Sequence, residues 1–547
     1  MKGGPNTRRW DGATALVAWF AMCISVLSFL YYFRQSEVLL YGDAVAHINI
    51  ARRVFDSLTP GWLQLGTVWL PLPHLLMVPF LLSDWAWQTG IGGSLPSMIA
   101  FVLGAVGVFR LLRGTVRPSS SDILTRVVPW LGALIYAANP NLIYLQTTAM
   151  TEPLYLAFFV WSVVHLNEFA QACGKVKPDA IADSSSLTKC GLCLMGACLT
   201  RYDGWFLAAI VCVAAGIAVL RSRHDNRQLR RGLVILVLLA ATAPIFWLAY
   251  NAAIYRNPLE FANGPYSAKA IEQKTSVAGA PLHPGAEHIG VAASYFLKSA
   301  ELNLGEKIWG RMWIVLLLTG TLLASLLRPY TTPLLLLWAP LPFYAFSIAY
   351  GSVPVFLPVW WPFSFYNTRY GVELLPAFAV FAPLGIYLVA TLTGNFKIRV
   401  AITAALVLFV GGSYTSIWRN PVCFREAWIN SRTRLAIEGE VAAYLRALPP
   451  DSTLLMYLGD HIGALQQAGV PLRRVINEGN HRVWKQPSDP EGLWERALAN
   501  PAQFADFVVT FENDPVSSVP KDQLTTLAVI RATGQPQATI YQAHRQH

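Results

Sequence analysis

Residues 13–33, ATALVAWFAMCISVLSFLYYF, carry no charge. At a rise of about 1.5 Å per residue they reach across the roughly 30 Å of a bilayer's hydrocarbon core. Every backbone N–H and C=O in hydrocarbon needs a partner from within the chain, so such a run folds as a membrane helix. The basic start, MKGGPNTRRW, also suits a secretory signal peptide, but the apolar core of a signal peptide is shorter and ends in small residues, not in FLYYF. Comparable runs recur at about 94–112, 127–146, 151–170, 189–203, 204–220, 232–254, 308–327, 331–349, 373–391 and 399–417, which makes eleven expected spans. Only 13% of the residues are charged, against about a quarter in soluble domains, and the chain reads as a polytopic α-helical membrane protein.

The net charge of +11 does not point to nucleic acid, because much of the Lys and Arg sits in short loops such as RLLRGTVRPSSSDILTR, CGKVKPD, RSRHDNRQLRR and GNFKIR. Basic loops stay on the cytoplasmic side, which places the N-terminus in the cytoplasm and the C-terminus outside. The stretch 68–82, VWLPLPHLLMVPFLL, is short and holds three prolines, so it is expected to lie on or re-enter the outer face without crossing. The seven cysteines are scattered, and Cys190 with Cys193 has no second pair to complete a metal or redox site.

Two units follow: residues 1–418, with a first outer loop at 34–93 and a second at 255–307, and a soluble extracytoplasmic α/β domain at 419–547. The latter reads as a long helix, REAWINSRTRLAIEGEVAAYLRAL, followed by strands TLLMYL, RRVIN, DFVVTF, LAVIR and ATIYQAH, with a mostly parallel sheet expected.

On this topology four charged clusters share the outer face: Asp43 with His47, Glu152 in AMTEPLY, Arg201 with Asp203 in LTRYDGW, and Arg369 with Tyr370 in YNTRYGVELLP. Ionisable groups at membrane depth are costly and usually line a wet cavity or pair with one another. Each also has a local reading. Asp43 suits a helix N-cap, with His47 one turn later on the same face as its partner. Glu152 before Pro153 suits a first helical turn, Arg201 and Asp203 a turn-closing ion pair, and Arg369 with Tyr370 an interfacial anchor. In the terminal domain Asp460, in MYLGDHIGAL, reads first as an N-cap and second as part of a ligand site at a strand end. The segment NGPYSAKAIEQKTSVAGAPLHPG suits either a solvated connector or a cover over a bound acceptor.

The order of these features resembles the GT-C superfamily of polyprenyl-phosphate-sugar-dependent glycosyltransferases, particularly the branch of protein O-mannosyltransferases and lipid A aminoarabinose transferases. The stretches that carry the resemblance are GDAVAHINIARRVFDS, VWLPLPHLLMVPFLL, YAANPNLIYLQTTAMTEPLYLAFFVWSVV, LTRYDGWFLA and NTRYGVELLPAFAVFAPLG, spread over residues 13–390. The resemblance implies a catalytic role for Asp43 and donor-phosphate contact for Arg369. Many relatives have two adjacent acidic residues in the first loop, whereas Ala44 follows Asp43 here, so a second carboxylate has to come from Glu152 or Asp203. The oligosaccharyltransferase WWDYG signature has no counterpart, since VWWPFSF lacks the acidic residue.

The implied activity is transfer of a sugar from a polyprenyl-phosphate donor to a hydroxyl on a protein, lipid or polysaccharide. Asp43 and Glu152 are the expected catalytic carboxylates, and His47, Arg201, Asp203, Arg369 and Tyr370 the substrate contacts. No cofactor is required. No metal site is demanded by spacing, although Asp43, His47 and Glu152 leave room for a divalent cation. The partners expected are the lipid-linked donor, its acceptor and membrane lipid, in a bacterial plasma membrane. The competing reading is a transporter or flippase for a lipid-linked glycan, although no internal repeat is visible.

Overall fold

The computed structural model describes residues 11–544 apart from 117–122, 174–179, 222–226, 276–280, 328, 394 and 482–488. The basic loops that set the expected orientation, and part of the segment after Asn263, fall wholly or partly outside the described residues. Helices occupy each place where a span was expected. Among the described residues, eight are long and apolar enough to cross a membrane: Gly12–Arg34, Ile91–Val116, Asp203–Leu220, Arg227–Tyr255, Ile308–Leu327, Thr332–Tyr350, Thr368–Thr391 and the first part of Phe396–Arg446.

The remaining three places show why eleven is not the number reached by this measure. The run 127–146 is broken into Ile123–Ala137 and Pro140–Gln146, because Asn139 turns the chain and caps the second piece through Asn141 N (3.1 Å) and Leu142 N (3.0 Å). Helices Glu152–Cys173 and Ala180–Thr200 are more polar, with His165, Asn167 and Glu168 in one and Ser184, Ser185, Ser186, Thr188 and Lys189 in the other. The stretch 68–82 forms a short helix, Leu72–Met77, and a 3-10 turn, Val78–Phe80, with no crossing.

Long apolar side chains such as Leu220, Leu238, Ile245, Leu322, Leu326 and Leu408 are exposed on the helices, as expected where lipid replaces water. The most enclosed span is Thr368–Thr391, 83% buried; it packs between Ile308–Leu327 and Ile123–Ala137. Its contact with Ile308–Leu327 is made by small residues: a Cβ at Gly385 would come within 2.7 Å of the Gly320 Cα, and one at Gly320 would strike the Phe381 carbonyl. Asp11 caps the first helix through Thr14 N (3.1 Å) and takes two bonds from Arg113 (2.9 and 2.6 Å), which ties that helix to Ile91–Val116.

The terminal region begins with helix Val422–Arg446 and continues into strands β1 Leu454–Met456, β2 Val475–Ile476, β3 Phe507–Phe511, β4 Leu524–Ile530 and β5 Ala538–Ala543. The sheet order is β2-β1-β3-β5-β4. It is mixed, not mostly parallel: β1 is parallel to β2 and β3, whereas β5 is antiparallel to β3 and β4. Residues 531–537 are too few for a parallel crossover, which needs a dozen or more, and they turn with Gly534 in the left-handed region at φ 77°.

The Gly320 contact sets a stability test. Gly320→Val is expected to lower the midpoint of thermal unfolding in detergent by several degrees, an overpacking cost of about 1–3 kcal/mol. Gly216→Ala, where an added Cβ meets nothing within 4 Å, should leave it unchanged.

Candidate active site

The helix Gly42–Arg53 follows the first span, and Asp43 lies in its first turn. Asp43 does not cap it. Tyr41 holds the N-cap position without a side-chain bond, and the Asp43 carboxylate instead accepts from Arg369 Nη2 at 2.6 Å. Arg369 sits in a 3-10 turn, Thr368–Leu374, at the mouth of the enclosed span. Its other nitrogens donate to Glu152 Oε1 (Nε, 3.1 Å) and Glu426 Oε1 (Nη1, 2.8 Å). Three carboxylates from three distant segments thus hold one guanidinium, in the geometry for which the planar fork of arginine is suited.

Glu152 is equally far from its expected local role. Its Oε1 also accepts from Arg201 Nη1 at 3.2 Å, so one oxygen bridges two guanidiniums. Arg201 further contacts Asp203 Oδ2 (3.1 Å), Glu373 Oε1 (3.1 Å) and the Tyr344 hydroxyl (2.9 Å). Tyr344 in turn donates to Glu373 Oε1 at 2.7 Å. The Tyr370 ring lies 5.0 Å from each guanidinium carbon, and Tyr41 lies under Arg369 at 5.2 Å.

Five carboxylates therefore face two guanidiniums: Asp43, Glu152, Asp203, Glu373 and Glu426. Glu152, Glu373 and Glu426 are fully buried, and the second oxygens of Glu152 and Glu373 have no hydrogen-bond partner. Asp43 differs from the others. Its side chain is 42% exposed, and it lines a cavity of about 530 Å³.

The structure brings Asp43, Glu152, Arg201, Asp203, Arg369 and Tyr370 into this one network. His47 makes no direct bond to it. It pairs with His74 of the Leu72–Met77 helix, Nδ1 to Nε2 at 2.9 Å, and its ring rests 4.7 Å from Trp69. Burial is the main cause that holds the His47 pKa down at about 3, with Arg201 and Arg369 adding to it; burial also holds His74 well below its usual value. Both imidazoles are neutral. Among the described residues no set of three or more acidic, His or Cys side chains is arranged to hold a metal ion; Asp43, His47 and Glu152 point to different partners.

No family model and no curated protein matches the chain. Solved structures do. ArnT from Cupriavidus metallidurans bound to undecaprenyl phosphate aligns over 97% of this chain and 98% of its own, at 14% identity and a TM-score of 0.57. The same protein in the apo state aligns over 94% and 97%, at 14% identity and a TM-score of 0.51. The oligosaccharyltransferase of Archaeoglobus fulgidus in the apo form aligns over 91% of this chain and 69% of its own, at 11% identity and a TM-score of 0.50. This chain has the GT-C fold.

Within that GT-C fold, sequence reasoning missed Glu373, Glu426, Tyr344 and His74. Glu373 carried a signal, since a carboxylate four residues after Arg369 inside an apolar run marks a functional position by default. Glu426 carried none: it looks like any acidic residue of an amphipathic helix, yet it also accepts from Thr368 N (2.6 Å) and the Thr368 hydroxyl.

Two outcomes follow for stability. Arg369→Met leaves Glu426 buried without its counter-ion and takes one of the two guanidiniums from Glu152, which is expected to cost about 3–5 kcal/mol, read as a large drop in the unfolding midpoint. Asp43→Asn, at the exposed end of the network, should cost under about 1 kcal/mol. The histidine pair gives a pH signature. Unfolded imidazoles take up protons below about pH 6.5, while the buried pair stays neutral, so stability should fall as pH drops from 6.5 toward 3. Thermal unfolding of His47→Gln and His74→Gln across that range should show a shallower fall than wild type.

Proposed function

We propose that this chain is a membrane glycosyltransferase that moves a sugar from a polyprenyl-phosphate donor to an acceptor hydroxyl on the extracytoplasmic face, with inversion. The observation that carries the reading is the Asp43–Arg369 pair: a half-exposed carboxylate at the edge of a cavity, bonded at 2.6 Å to a guanidinium that buried acids hold in place. The fold shared with ArnT, solved with undecaprenyl phosphate bound, supports a lipid-linked donor.

In the reaction the acceptor oxygen forms a bond to the anomeric carbon as the bond from that carbon to the phosphate oxygen breaks. The acceptor proton passes to Asp43, whose side chain is 42% exposed on the cavity wall. General-base assistance of this kind is typically worth about 10² to 10⁴-fold. The departing phosphate gains negative charge and is received by Arg369, with Arg201 behind it through the shared Glu152 oxygen. Of the carboxylates on Arg369, only Asp43 is exposed enough to move aside, so the phosphate takes the guanidinium face that Asp43 holds and thereby frees the base. Attack from the side opposite the leaving group inverts the anomeric centre, so a β-linked donor gives an α-linked product.

Transfer of labelled sugar from a panel of polyprenyl-phosphate donors tests this. Wild type is expected to consume at least one donor, and Asp43→Asn of matched thermal stability to be slower by about 10² to 10⁴-fold. Equal rates would remove Asp43 as the base. Movement of a lipid-linked glycan across vesicles without donor cleavage would establish the transporter reading instead.

A further inference from the structure

The cavity beside Asp43 is walled by three segments far apart in sequence: residues 42–69, 255–274 and 434–479. Its volume of about 530 Å³ lies within the range of small-molecule sites. Four aromatic rings line it, those of Trp69, Tyr255, Tyr266 and Tyr457. Carboxylates stand among the rings: Glu260, Glu438, Asp460 and Glu478 in addition to Asp43.

Of the three cations of the lining, two stand against carboxylates and the third is exposed. Arg53 lies 3.6 Å from Glu478, Arg434 donates to Glu438 at 2.7 Å and to the Leu39 and Leu40 carbonyls, and Lys274 donates to the Pro265 carbonyl at 3.5 Å. An acceptor carrying phosphate or carboxylate would meet five acids against three cations, an excess of like charge. A purely apolar acceptor would leave those acids, and the buried Arg53 Nε that lacks a partner, facing hydrocarbon. A sugar ring satisfies both kinds of wall: its C–H face lies against an aromatic ring, and its hydroxyls donate to carboxylates.

Asp460 fits this use better than the capping role its sequence suggested. The helix Gly463–Ala468 has Ile462 at its N-cap and no side-chain cap, and Asp460 is exposed on the cavity wall next to Gly459.

Building on the glycosyltransferase reading, we infer that this cavity is the acceptor subsite and that the acceptor is a saccharide, one or two rings of which lie between the first loop and the terminal domain with a hydroxyl at Asp43. The terminal domain is then part of the binding site, since Tyr457, Asp460 and Glu478 come from it.

The test is isothermal titration of the full-length protein in nanodiscs with a panel of methyl hexosides and their disaccharides, a Ser/Thr-containing peptide, and inorganic phosphate, alongside donor cleavage by the same preparation. At least one saccharide is expected to bind, and Asp460→Asn, a change at an exposed position, to weaken it by about tenfold. Trp69→Ala should weaken the same saccharide, and Leu527→Ala, exposed outside the cavity, should not. Binding of the peptide or phosphate in place of every saccharide, or of nothing at all, overturns the inference, as does saccharide binding untouched by Asp460→Asn and Trp69→Ala. Donor cleavage continuing in that case leaves the glycosyltransferase reading standing. Saccharide binding at the cavity with no donor cleaved would sink that reading and keep the site.

Discussion

One carboxylate oxygen, Glu152 Oε1, holds two guanidiniums, and the rest of the site hangs on it. Breaking a buried ion pair is far more costly than its net contribution to stability, because the partner is stranded in a medium that cannot solvate it. The two arginines are therefore fixed from behind. Arg201 is closed in by Asp203, Glu373 and Tyr344, and Arg369 by Glu426, which leaves Asp43 as the one acid on the open side. Rigidity toward the protein and freedom toward the cavity are properties of the same cluster. Donors fixed in advance in this way lose nothing to reorganisation when charge develops beside them.

The location of the network follows from packing. The enclosed span Thr368–Thr391 can be buried because Gly320 and Gly385 let helices approach backbone to backbone, and the 3-10 turn at its mouth carries Arg369 and Glu373 toward their partners. The first loop is pinned separately. Arg52 donates to Asp56 (2.8 Å), to the Leu81 carbonyl (2.6 Å) and to Asp84 (2.5 Å), so the helix bearing Asp43 is anchored to the segment around residues 81–84. Arg53, its neighbour, reaches Glu478 of the terminal domain.

Much of the membrane architecture is legible from the sequence, because uncharged runs of span length have few ways to fold. Residues 13–33 and 373–391 are helices for that reason alone. The polar helix Glu152–Cys173 weakens the same signal, since its burial among other helices, not its own hydropathy, makes it stable. The five strands fall within or across the segments TLLMYL, RRVIN, DFVVTF, LAVIR and ATIYQAH, but their directions depend on connection length, which the pattern of apolar residues does not encode. At the site, charged residues in apolar surroundings announced Asp43, Arg201 and Arg369. Glu426 was invisible because its distinction is purely tertiary: it looks surface-exposed by pattern and becomes buried only when its helix docks against Thr368 and Arg369.

That docking has a consequence for when the protein becomes competent. Chains are made from the N-terminus onward, so the spans through Trp418 can enter the bilayer before Glu426 exists. Until then Arg369 lacks one of the acids that hold it, and the cavity lacks its wall at 434–479. The spans can thus be in place before the cluster and the cavity are complete, and completion waits for the last quarter of the chain.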